Sequence, residues 1–72
     1  MKRINLEKTS ANIKIYIETV SSIKEVADYL GLTLYSVYKW TYGACLPTID
    51  NLVNLADILN VTIDDLIITE DI

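Results

Sequence analysis

Between Leu34 and Tyr42 the chain reads LYSVYKWTY, which carries three tyrosines and one lysine. A phenol both donates and accepts a hydrogen bond, its ring offers a flat apolar face, and an ammonium pairs with an anion. This is the chemistry of binding. An α-helix advances about 100° per residue. With Tyr35 at 0°, Lys39 falls near about +40°, Tyr42 near about −20° and Tyr38 near about −60°. Val37 falls near about 200° and Trp40 near about 140°, on the opposite side. The spacing therefore predicts a helix that turns its tyrosines and lysine outwards and its valine and tryptophan inwards.

Catalytic chemistry is poorly supplied. The chain has no histidine and only one cysteine, Cys45. A zinc site and a Cys–His nucleophile both lack their ligands. No glycine-rich phosphate loop is present. Asp64 and Asp65 are adjacent, so on a helix they diverge and do not converge on a substrate. The acidic residues read as solvated helix faces. The expectation is a protein without enzymatic activity, cofactor or metal.

The chain has 72 residues, about half of them hydrophobic. That is room for one small domain, residues 1–72, with a modest core. The lone Cys45 cannot form an internal disulfide and fits a reducing, cytoplasmic setting. The N-terminus, MKRINLEKT, lacks the apolar run of a secretory signal. Apolar runs such as Leu66-Ile67-Ile68 are too short to span a bilayer, so no membrane partner is expected. Net charge is −4 but unevenly placed. Residues 1–40 hold all six basic side chains against four acids, giving +2, and residues 41–72 hold six acids and no base, giving −6. One half can approach phosphates while the other stays away.

The elements that must position the tyrosines are helical. Ile13, Tyr16, Ile17 and Val20 recur as the stripe of an amphipathic helix, starting at Asn5 or Thr9 and ending near Thr19. Ser22 followed by Glu25 has the form of a capping box opening a second helix, with Val26, Ala27 and Leu30 inward. Gly31 stops it by reaching the left-handed conformation. Thr33 caps the third helix, which ends at Gly43. Pro47 and Thr48 open a fourth, with Ile49, Leu52, Val53, Ala56 and Leu59 on one face and Leu55 and Ile58 widening it. Asn60 ends that helix. Thr62 caps a short fifth, holding Ile63, Leu66 and Ile67, with Asp64 and Asp65 at its positive end. No segment reads as a strand. The fold class is all-α, a compact five-helix domain.

A helix, a glycine-centred turn and a second helix make up the helix-turn-helix unit. Residues 22–47, SIKEVADYLGLTLYSVYKWTYGACLP, resemble the phage repressor/Cro type of this unit, also called the xenobiotic-response-element type. Val26, Ala27, Leu30, Gly31, Leu32, Val37, Trp40, Gly43 and Pro47 carry the likeness. The continuation TIDNLVNLADILNVTIDDLI resembles that family's fourth and fifth helices. The resemblance implies a lambda-repressor-like DNA-binding fold with the motif at about 22–43. It also implies a small sequence-specific transcriptional regulator whose partner is double-stranded DNA.

On that resemblance the third helix enters the major groove. Leu34, Tyr35, Ser36, Tyr38, Lys39 and Tyr42 are then the candidate DNA contacts, with Lys24 and Lys14 on phosphates and Lys2, Arg3 and Lys8 as further cations. Tyrosine and leucine can also pack on a thymine methyl. Several positions depart from the family pattern. Ile23 stands where the family often has a backbone-contacting Gln. Ile15, Ile17 and Leu34 stand where basic residues are common, and Ala44 and Cys45 are uncharged. Each missing cation removes a phosphate contact, so binding weaker and less salt-sensitive than in typical relatives is expected.

Members of the family commonly dimerise, and two-fold pairing would match a palindromic site. Ile67, Ile68 and Ile72, at about 62–72 with the last helix and tail, are the candidate dimer surface. With no effector domain in the sequence, the chain is expected to act by occupying DNA or through a partner. A rival reading keeps the fold as a protein-protein interaction module with weak DNA affinity. The apolar substitutions, the tyrosines (enriched at protein interfaces) and the acidic C-terminal half favour it.

Overall fold

A computed structural model describes residues 1–72. Five helices account for most of the chain: α1 (Leu6–Val20), α2 (Ile23–Leu30), α3 (Leu34–Thr41), α4 (Ile49–Leu59) and α5 (Ile63–Leu66). Two short strands, β1 (Lys2–Ile4) and β2 (Thr69–Asp71), pair antiparallel at the ends of the chain. No helix is long and apolar enough to cross a membrane.

Local chemistry sets the helix boundaries. Each helix is opened by a residue whose side-chain oxygen accepts an otherwise orphaned N–H. These residues are Asn5, Ser22, Thr33, Thr48 and Thr62. α2 and α4 close on left-handed residues, Gly31 at φ 69° and Asn60 at φ 57°. Past each of these the chain folds back in the same way. Leu32 N–H reaches the Ala27 carbonyl at 2.9 Å, and Val61 N–H reaches the Ala56 carbonyl at 3.0 Å. These paired closures satisfy carbonyls that the helix leaves free.

Ten side chains form one core: Ile13 and Ile17 from α1, Val26 and Ala27 from α2, Val37 and Trp40 from α3, Leu55, Ala56 and Leu59 from α4, and Leu66 from α5. Every helix contributes, and α3 is held by α1 and α2 together. Ala27 is almost fully buried where α2 meets its neighbours, where a larger side chain would push them apart.

The structure corrects several sequence expectations. Ile49 is 79% exposed and Val53 about half exposed. Ala56 and Leu59 are buried as expected, and Leu55, expected at the edge of the stripe, is fully buried, so the buried face is shifted towards Leu55 and away from Ile49 and Val53. Val20 and Ile63 are also exposed. The third helix stops at Thr41, with Tyr42 as its cap and Gly43 beyond it at φ 85°. Ser22 accepts from Glu25 N–H, but the Glu25 carboxylate turns to the Ser21 hydroxyl at 3.2 Å. The reciprocal box forms at Thr62 and Asp65 instead.

The expected strand-free chain has a small sheet because its ends carry complementary groups. Lys2 faces Asp71, Arg3 faces Glu70 and Ile4 faces Thr69. Arg3 Nε donates to Glu70 Oε2 at 2.8 Å, and Asn5 Nδ2 donates to Glu70 Oε1 at 2.7 Å. The buried Thr9 hydroxyl donates to the Ile68 carbonyl and accepts from the Ile68 N–H. Asn12 Nδ2 donates to the Asp65 and Leu66 carbonyls. An isolated two-stranded pair is marginal in water, and these side-chain bonds to α1 add the anchorage it lacks.

Candidate nucleic-acid interface

Three elements build the candidate face. α2 and α3 enclose the Gly31 turn, and α1 runs behind them. Val37 is 0% and Trp40 4% exposed, so they root α3 in the core. The opposite side of α3 is open, with Tyr35 63% and Tyr38 50% exposed and Leu34 and Tyr42 similarly free. The helix faces therefore lie as the 100° spacing requires.

The open side is an aromatic ridge. The Tyr38 and Tyr42 ring centroids lie 4.9 Å apart in a tilted arrangement. Lys39 Nζ sits 5.3 Å from the Tyr35 ring centroid, within cation–π range. The nearby Tyr35 hydroxyl, a hydrogen-bonding neighbour, pushes the Tyr42 phenol above its ordinary pKa, with desolvation and further neighbours adding to the effect. Tyr42 therefore stays a neutral phenol throughout the physiological range.

Other candidate residues are partly engaged. Ser36 is half-buried and its hydroxyl lies 2.9 Å from that of Thr33, within the cap of α3. Lys24 donates to Asp28 at 3.1 Å along α2. Lys14 is exposed and lies across a groove from Tyr42. That groove, of about 520 Å³, runs between α1 and the end of α3, and Glu7, Ser10 and Thr41 share its walls. Ser10 Oγ is buried there without a hydrogen-bond partner. Ser10 and Thr41 carry little signal in the sequence. The only signal for Ser10 is its place three positions before the apolar Ile13, and that for Thr41 is its place next to the inward-facing Trp40.

Arg3 is paired with Glu70, although its side chain stays largely exposed. Among the proposed dimer residues, Ile67 and Ile68 are half-buried against the protein's own core side, and Ile72 is 64% exposed. Ile68 is tied through its backbone to Thr9 and Asn5. On α2, the Tyr29 hydroxyl donates to Asp57 of α4 at 3.0 Å, and this carboxylate raises the phenol's pKa.

Residues 12–71 match the family described as the Cro/C1-type HTH DNA-binding domain. Among curated proteins, the chain is similar to the cryptic phage CTXphi transcriptional repressor RstR of Vibrio cholerae serotype O1, with 45% identity over 42 residues. That match covers 58% of this chain and 38% of the relative, so the chain spans about two fifths of the length of the curated protein it matches. No solved structure matches it significantly. The match over residues 12–71 and the helix-turn-helix geometry together show the family: the chain belongs to the Cro/C1-type helix-turn-helix DNA-binding domains.

Proposed function

We propose that this protein is a small sequence-specific regulator that works as a homodimer and lays α3 in the major groove of double-stranded DNA. The observation that carries this reading is the outward face of α3. Leu34, Tyr35, Tyr38 and Tyr42 stand free on the second helix of the motif while Val37 and Trp40 fix its roll. Residues 1–72 act as one such domain. Lys39 and Lys14 lie beside the ridge and serve phosphates. Lys24 serves a phosphate near the start of α2, at the cost of a surface pair with Asp28 that contributes little. Ser36 contributes by holding the start of α3. Ile72, with the half-buried Ile67 and Ile68, supplies apolar surface for a second copy, which would place two α3 helices about one helical turn apart along DNA.

A second reading is favoured by Ile15 and Ile49, both more than half exposed, and by the pairing of Arg3 and Lys24 with carboxylates. In this reading the fold serves mainly to bind another protein. Fluorescence anisotropy against random and genomic duplexes at low and moderate salt separates the two. Saturable binding that survives moderate salt for a subset of duplexes supports the regulator. Absence of binding even at low salt supports the interaction module.

A further inference from the structure

The composition of the α3 face restricts which DNA it can read. Specific readout of guanine or adenine in the major groove rests on side chains that make two parallel hydrogen bonds, namely Arg or Lys to guanine and Asn or Gln to adenine. α3 is LYSVYKWT and holds no Arg, Asn, Gln, Asp or Glu. Its one cation, Lys39, lies over the Tyr35 ring. Ser36 is half-buried and its hydroxyl is taken by Thr33. What remains free is one isobutyl group and three phenol rings, of which Tyr38 and Tyr42 form a continuous tilted pair. A phenol hydroxyl makes a single bond that any base edge can answer, so it discriminates weakly. The apolar surface does discriminate, because among the four bases only thymine presents a methyl group in the major groove.

We infer that Leu34, Tyr35, Tyr38 and Tyr42 select A·T-rich duplex by packing on thymine methyl groups, so that sequence is read mainly through methyl contacts. This rests on the reading of α3 as the DNA-reading helix. Burying one methyl-sized group favours association about fourfold. A face touching two methyls therefore prefers thymine to uracil by more than about tenfold.

The test compares four alternating duplexes at low salt by anisotropy: poly(dA-dT), poly(dA-dU), poly(dG-dC) and poly(dG-dC) carrying 5-methylcytosine. Thymine and uracil differ only in the C5 methyl, so base pairing and hydrogen-bonding edges are held fixed. Binding to the thymine duplex is expected to be about tenfold tighter than to the uracil duplex. Methylating cytosine, which adds a methyl at the matching edge, is expected to tighten binding to the G·C duplex. Leu34→Ala with Tyr38→Ala, both at exposed positions, should bring the thymine-to-uracil ratio towards one. Equal binding to the thymine and uracil duplexes overturns the inference and leaves the DNA-reading role standing. Binding to none of the four overturns both.

Discussion

Glu70 holds Arg3 with one carboxylate oxygen and Asn5 with the other, at 2.8 and 2.7 Å. The Asn5 amide so engaged belongs to the residue whose Oδ1 caps α1 through Lys8 N–H at 2.9 Å. One acidic side chain in the tail thus fixes both the basic N-terminal strand and the start of the first helix.

This contact makes stability depend on pH. The Arg3 hydrogen bond, then that of Asn5, lowers the Glu70 pKa below its ordinary value. A carboxyl with a depressed folded-state pKa contributes fully above the unfolded value, about 4.3 for glutamate, and its contribution is lost as pH falls through the folded value. Wild type should therefore melt above Glu70→Gln at pH 7. The two melting curves should converge as pH drops below about 4. A difference unchanged down to pH 3 would assign the effect to the hydrogen bonds alone.

The aromatic ridge should matter for DNA and little for folding. Tyr38→Ala with Lys39→Ala is expected to weaken duplex binding by about tenfold or more, in keeping with the loss of a good groove contact. Far-UV circular dichroism and melting should change little, since surface substitutions usually stay within about 0.5 kcal/mol. Unchanged affinity in a folded double variant would place the DNA-binding face elsewhere.

Salt dependence should be shallow. Arg3 is paired with Glu70, and Lys14, Lys24 and Lys39 are the cations assigned to phosphates, Lys24 giving up only an exposed pair with Asp28. Three phosphate contacts per subunit, six per dimer, give a slope of log affinity against log salt of about −5. Lys14→Ala, which removes one contact from each subunit, should flatten it by roughly two. A slope unaltered by that change would remove Lys14 from the interface.

The corrected face of α4 is tested by a pair of truncations. Leu55 is fully buried and Ile49 is 79% exposed, although both lie on α4. Leu55→Ala should cost about 2–5 kcal/mol, a large part of a small domain's stability. Ile49→Ala should stay within about 0.5 kcal/mol. Chemical denaturation of both variants gives the comparison, and similar losses would return Ile49 to the core.

The features legible from sequence are those decided within a turn or two of helix. Thr33, Thr48 and Thr62 read as caps because a side-chain oxygen three residues before a free N–H is a local matter. Gly31 and Asn60 read as stops because the left-handed bend is local too. The roll of α3 was legible because polar and apolar residues separate cleanly around it. α4 was misread because Ile49, Leu52, Val53, Leu55, Ile58 and Leu59 nearly encircle the helix, so periodicity alone could not rank its faces. The strands were missed because three-residue segments carry no period. Their pairing joins Arg3 to Glu70, separated by 67 positions, and exists only once α1 and α5 are docked. Ser10 escaped because a single hydroxyl on an inward-facing turn looks like any tolerated helix serine.

The antiparallel seam also brings the two ends of the polypeptide together, with Ile72 N–H donating to the Met1 carbonyl at 3.0 Å. A linker of a few residues could therefore join them into a ring, and new ends could be opened at the exposed Ala44 beyond α3. In such a permuted protein the two strands would become a single hairpin, formed locally instead of closing over the length of the chain. Its folding should be faster, because a long loop no longer has to close before that pairing can form.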